Sequence, residues 1–167
     1  MIKSLTVDNH TFDWGSRTYV MGILNITPDS FSGDGIIAKG DAVQVSLEQA
    51  RSFVASNVDI LDVGGESTRS GSAPVTADEE LQRVIPVIHV LRENFPDTLI
   101  SIDTYKARVA VEAINAGAHI VNDVWGLRAD PELAGVTAKY QTPVILMHNR
   151  SNPATVEVRA QLGNAYI

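Results

Sequence analysis

The chain has 167 residues, a formal net charge of −7, a pI near 4.9 and no cysteine. That acidic balance argues against nucleic acid or an anionic membrane as the partner, and the absence of thiols excludes disulfides and thiolate chemistry. MIKSLTVDNHTFDWG lacks the apolar region of a signal peptide and no run approaches the roughly 18 apolar residues of a membrane span, so a soluble cytoplasmic protein is expected.

Residues 2–7 alternate like a short strand, and Asp8-Asn9 followed by Thr11, Phe12 and Trp14 predicts a hairpin, with His10 as an exposed turn residue rather than a ligand. Val20, Met21, Ile23 and Leu24 predict a strand buried on both faces, which ends at Asn25 and runs into the polar loop TPDSFSGDG. Val43, Leu47, Ala50 and Val54 recur at helical spacing, so residues 41–56 are expected to be a helix capped by Asp41. Ile60, Leu61 and Val63 form the next strand, which finishes in Gly64-Gly65. After a loop over residues 66–75, Thr76-Ala77-Asp78-Glu79 is a capping-box pattern opening a helix with the stripe Leu81, Val84, Ile85, Ile88 and Leu91. Pro86 should kink that helix without ending it, and His89 beside the stripe reads as a structural or surface residue.

Residues 99–102 form the third core strand, closing on Asp103, and residues 106–116 form a helix that Gly117 stops. Ile120-Val121 closes on Asn122-Asp123. Asp130-Pro131-Glu132 places a cap, a first-turn proline and an acid ahead of a helix whose inner face is Leu133, Val136 and Tyr140. Residues 144–146 form the fifth strand, closing on Met147-His148, and Asn152-Pro153 starts another helix.

Alternating strands and helices mean a parallel α/β fold, with two architectures in competition. Length favours an open five-stranded sheet, since a full (β/α)8 barrel typically needs about 250 residues. The strand ends favour the barrel. All of them finish in polar or small groups, as a ring of strand ends facing one ligand would, whereas an open sheet serves its ligand from a single crevice. In a barrel the hairpin becomes a lid on the bottom.

Asp103 and Asn122, at neighbouring strand ends, offer donors and acceptors suited to an amidine-like ring edge, although Asp103 before Thr-Tyr-Lys equally fits a helix cap. Asn25 is a neutral oxygen donor or a turn residue. Ser67, Thr68 and Arg69 present hydroxyls and a guanidinium able to grip a diphosphate, or a solvated surface arginine. Met147 is equally compatible with a core. His148 leans to a structural role over phosphate or metal contact, and Asp123 to support of its own loop.

Two stretches, NITPDSFSGDG at residues 25–35 and DILDVGGESTRSG at residues 59–71, closely resemble the two signatures of the dihydropteroate synthase family, TIM barrel transferases of folate biosynthesis. The resemblance implies condensation of 6-hydroxymethyl-7,8-dihydropterin diphosphate with p-aminobenzoate to give 7,8-dihydropteroate and diphosphate. It further implies that Asp103 and Asn122 contact the pterin, that Met147 packs on the ring face, and that Asn25 ligates Mg2+. Ser67, Thr68 and Arg69 would hold the leaving diphosphate and, with Asp29 and Phe31, shape the p-aminobenzoate pocket. No nucleophile is required. Members are commonly homodimers.

Three departures stand out. The acid of the first signature is displaced to Asp34 by Gly33. Ser70 replaces the usual proline of the second, which frees the loop and adds a hydroxyl, so weaker binding of p-aminobenzoate is expected; equal affinity in Ser70→Pro would refute this. The family's later pterin-binding aspartate, lysine and phosphate-site arginine-histidine pair have no counterpart, so residues 1–167 are expected to be a truncated pterin-binding domain, an incomplete barrel of about five strands, poorly stable and inactive alone. The competing functions are a methyltetrahydrofolate-corrinoid methyltransferase, which shares a pterin pocket but handles no diphosphate, and a half-barrel without catalytic activity.

Overall fold

The computed structural model describes residues 3–27, 39–67 and 74–148, with the backbone alone at 39–41. Asp29, Phe31, the Gly33-Asp34 shift, Thr68, Arg69, Ser70 and the helix expected from Asn152-Pro153 lie outside the described residues.

Strands β1 (Ser4–Val7) and β2 (His10–Asp13) form the expected antiparallel hairpin around Asp8-Asn9, with Asp8 in the left-handed region at φ 51°. His10 opens β2 half-buried instead of sitting in the turn, because its backbone pairs with Val7. A five-stranded parallel sheet follows in the order β3 (Met21–Asn25), β4 (Ile60–Gly64), β5 (Leu99–Asp103), β6 (Ile120–Asp123), β7 (Val144–Leu146). Helices α1 (Lys39–Ala55), α2 (Ala77–Asn94), α3 (Ala107–Ala116) and α4 (Leu133–Tyr140) alternate with the strands.

Two features decide between the architectures. The strands are ordered as in the chain, with no reversal, and successive helices pack on one another in series, α1 on α2, α2 on α3 and α3 on α4. A doubly wound sheet reverses its order and splits its helices between two faces. Among the described residues, five consecutive parallel strands joined by four helices on one side make an incomplete (β/α)8 barrel.

One face of the sheet packs its apolar residues under the helices. Leu24, Leu61, Val63, Ile100, Ile102 and Val121 join Val84, Ile88 and Leu91 of α2 and Val109, Ala110 and Ala113 of α3 in the main core. The other face is the barrel interior, and its lowest layer is closed by the hairpin: Val7 and Phe12 pack on Ile60, Leu99 and Ile120, the first residues of β4, β5 and β6. Arg17 pairs with Asp59, whose Oδ2 also accepts from the Val20 N–H at 2.7 Å, so the hairpin is tied to the entry of β4. The lid expectation therefore holds.

β3 differs from expectation. Gly22 and Leu24 are buried under the helices, but Val20 and Ile23 are each about half exposed, because β3 is an edge strand whose inward face has few neighbours among the described residues. β7 is the other edge, where Ile145, Leu146 and Met147 are exposed, so Met147 is no core residue.

Helix ends follow local chemistry with two corrections. Thr76 and Glu79 form the full reciprocal capping box on α2, a feature worth about 1 kcal/mol. Pro86 lies inside α2, which continues to Asn94. Gly117, at φ 113°, ends α3 in the left-handed conformation that favours glycine. By contrast α1 begins at Lys39, placing Asp41 within its first turn instead of at the cap. α4 begins at Leu133, after the Asp-Pro-Glu triplet. Asp130 is diverted to two helix entrances: Oδ1 accepts from the Glu132 N–H at 3.0 Å, and Oδ2 from the Ala107 N–H at 2.8 Å at the start of α3.

Candidate functional site

In-register pairing sets the site. Asn25 lies beside Gly64, Gly64 beside Asp103, and Asp103 beside Asn122, so three strand-terminal residues and the next-to-last residue of β6 form one row across β3 to β6. In a parallel sheet, residues in register share a face, and alternate residues of one strand do too. Met21, Ile60 and Leu99 form the layer closed by the hairpin; Ile23, Asp62, Ser101 and Ile120 come next in register, with Ile120 also reaching the hairpin cluster; Asn25, Gly64, Asp103 and Asn122 form the top row. The interior thus turns polar toward the C-terminal ends of the strands, where barrels carry their sites.

Gly64 is the small member of the row. A Cβ there would sit 3.5 Å from Asp103 Oδ2 and 3.8 Å from Asn25 Oδ1, so both side chains occupy the space above it from either side. Asp103 does not cap α3. The residue before that helix is Lys106, with no side-chain cap bond, and the turn is closed by Thr104 Oγ1 accepting from the Lys106 N–H at 3.2 Å. Asp103 is therefore available to a ligand. Burial, then the carboxylates of Asp62, Glu80, Asp123 and Glu66, raise its pKa to about 7.

Beneath the row, Asp62 is 2% exposed and accepts at Oδ2 from Asn122 Nδ2 at 3.0 Å. Burial raises its pKa, opposed by Ser101 and Asn122; Ser101 Oγ lies near enough to favour the charged form yet outside hydrogen-bond geometry. Asp123 points the other way, fully buried. Oδ1 accepts from the Trp125 N–H at 2.8 Å and Oδ2 from the Leu127 N–H at 2.6 Å, so it shapes the loop after β6.

A second polar cluster stands where β4 and β5 leave the sheet. Lys106 pairs with both Glu66 and Glu80, and the Tyr105 hydroxyl donates to Glu66 at 3.3 Å. Glu80 is 1% exposed; burial raises its pKa even against Lys106, whose own pKa the two carboxylates raise over the opposing effect of burial. Arg83 of α2 donates to the Gly65 carbonyl at 2.7 Å. A Cβ on Gly65 would lie 2.8 Å from Val84 and 2.9 Å from Glu80, so α2 sits directly on this turn. Ser67, half-buried, follows Glu66 out of the cluster.

The remaining expected contacts are less convergent. Met147 and His148 are exposed beyond β7, and the Met147 N–H donates to the Asp123 carbonyl at 3.2 Å. Among the described residues, no group of three or more His, Asp or Glu side chains is placed to hold a metal ion. Asn25 supplies a single neutral oxygen at the mouth of the row, which fits a magnesium ion that draws its other ligands from water and substrate phosphates.

The sequence pattern of the pterin binding enzymes matches residues 21–165. The chain belongs to the pterin binding enzyme family. A dihydropteroate synthase of Clostridium beijerinckii is 48% identical over 148 residues, covering 89% of this chain and 54% of that protein. Two solved structures agree in fold. Dihydropteroate synthase from Clostridium difficile, in the presence of pteroic acid, superposes with a TM-score of 0.76 at 47% identity, covering 90% of this chain and 56% of that one. The Xanthomonas albilineans enzyme with 4-aminobenzoic acid gives a TM-score of 0.78 at 37% identity, covering 96% and 58%. The chain thus spans little more than half the length of these relatives.

Within this pterin-binding fold, reasoning from sequence missed Asp62, Glu66, Glu80 and Lys106. Asp62 had a signal: an acid between Leu61 and Val63, in a strand otherwise apolar, needs a buried partner. Glu80 and Lys106 had none, because each sits where a surface charge is ordinary.

Proposed function

We propose that the chain is the N-terminal part of a dihydropteroate synthase, in which residues 1–167 belong to the pterin-binding domain. The observation that carries this reading is the row Asn25, Gly64, Asp103 and Asn122, which places a carboxyl and a carboxamide side by side at the C-terminal end of a barrel. The family membership and the dihydropteroate synthase relatives support it.

In the reaction the C–O bond between the pterin methylene and diphosphate breaks, diphosphate leaves with the electron pair, and the amine of p-aminobenzoate forms the new C–N bond and then loses a proton. Asp103 and Asn122 hold the polar edge of the pterin and so fix its methylene in line for attack. Met147, exposed just beyond β7, packs against the ring. Ser67, Thr68 and Arg69 hold the diphosphate, and Asp29 and Phe31 line the p-aminobenzoate side. Asn25 would hold Mg2+, which when bound supplies charge neutralisation for the leaving group. Catalysis is positioning plus electrostatics, with no covalent intermediate on the protein. Cytoplasmic action as a homodimer completes the reading, and twice the mass of one chain in solution is the expected size.

The test is product analysis with the native protein, dihydropterin diphosphate, p-aminobenzoate and magnesium. Dihydropteroate and diphosphate formed in equal amounts, and only with magnesium, are expected. Pterin binding without condensation, or methyl transfer from methyltetrahydrofolate, would overturn the assignment.

A further inference from the structure

Asp62 and Asn122 come from strands that do not touch, with β5 between them, yet their side chains meet inside the barrel at 3.0 Å. A carboxamide is nearly symmetric in shape, with an acceptor on one arm and donors on the other, so its neighbours alone decide which arm faces a ligand. Asp62 makes that decision here. Its Oδ2 accepts from Nδ2 of Asn122, which leaves the Asn122 oxygen as the arm that Asp62 does not engage. The reversed amide would set its oxygen against an ionised carboxylate oxygen in a site where Asp62 is 2% exposed. A buried acid with one oxygen unpartnered costs stability, so stability alone gives little reason for it to be there.

We propose that Asp62 is a positioning residue that fixes the orientation of the Asn122 amide, so that the ligand meets an acceptor there and must offer an N–H donor in return. Together with the neighbouring Asp103, this gives the top row two acceptors side by side. It selects heterocycles that carry adjacent N–H groups on one edge and rejects those that carry a lone pair opposite Asn122. The inference deepens the pterin reading and rests on it for the identity of the ligand, but the amide orientation stands on this geometry alone.

Two measurements on the native protein separate these claims. In protein labelled with 15N-asparagine, the Asn122 side-chain amide, assigned by its loss in Asn122→Leu, is expected to exchange slowly with solvent. Asp62→Leu should speed that exchange at least tenfold. Asp62→Asn, of the same shape and still able to accept, should lie between the two. Titration with dihydropterin diphosphate should follow the same order, with affinity falling at least tenfold in Asp62→Leu and less in Asp62→Asn, while KM for p-aminobenzoate stays within twofold. Unchanged amide exchange in Asp62→Leu would overturn the inference whatever the ligand does. So would equal losses for both substrates in step with a fall in Tm, because that pattern marks a merely structural residue. If the wild-type protein bound no pterin while the amide responded as expected, the functional assignment would fail and the orienting role of Asp62 would stand.

Discussion

Asp103→Asn in the native protein is expected to weaken binding of dihydropterin diphosphate on the order of a hundredfold and, in the ligand-free protein at pH 8, to raise stability. The first effect follows from removing a charged acceptor at a ligand edge, worth about 1.5–3 kcal/mol per hydrogen bond. The second follows from linkage. The carboxyl titrates near 3.8 in the unfolded chain and about 7 in the folded one. Between those values the folded state holds a proton that the unfolded state has released, so stability falls as pH rises and the whole penalty is present above the folded value. A gap of that size corresponds to at most roughly 4 kcal/mol. Asparagine carries no such penalty, so the gain should be seen at pH 8 and vanish below about pH 4. Denaturant unfolding of wild type and variant at the two pH values measures it. A variant less stable than wild type at pH 8 would show that Asp103 serves the fold instead of a ligand, which makes this a sharp test of the site as well.

Lys106→Met should act in the opposite sense, with a stability loss of about 3–5 kcal/mol at pH 7, because it leaves Glu66 and Glu80 facing each other without their shared cation. Glu80 dominates the cost, since it is almost wholly buried and its Oε1 already lacks a partner. Lys106 is held above its ordinary pKa, so its contribution is complete at neutral pH and is lost only as pH rises through that raised value. In the variant, acid should restore part of the loss as Glu80 takes up a proton. Glu80→Gln added to Lys106→Met should recover stability for the same reason. A loss under about 1 kcal/mol would place the trio among ordinary exposed ion pairs. The trio also joins α2, the loop after β4 and the entry of α3, so the same variant should raise KM for dihydropterin diphosphate through Ser67, which follows Glu66 directly.

These two residues illustrate what was legible beforehand. Asp103 stood out because an apolar run ended on it, and the structure places it in the row with Asn25 and Asn122 that the strand ends foreshadowed. Its alternative use as a helix cap was settled only by Thr104 and Asp130, which serve the entrance of α3 in its place. Lys106 looked like the first residue of a helix and nothing more. Asp130 shows the same limit in reverse: its local pattern pointed to its own helix, while one of its oxygens went to another.

By itself the sequence determined the order and type of nearly every element, the hairpin lid, the capping box, and the polar residue at each strand end. All of these depend on neighbours within a few positions: apolar period, turn residues and reciprocal caps act locally. Only the tertiary structure decided which face each strand presents, that Asn25, Gly64, Asp103 and Asn122 share one row, and that Asp123 lies outside it. It alone joined Asn122 to Asp62 across 60 residues, and Lys106 to Glu66 across 40 and to Glu80 across 26. Register and burial arise when distant strands and helices pack together, and a charge becomes costly, and therefore informative, only once that packing has removed its water.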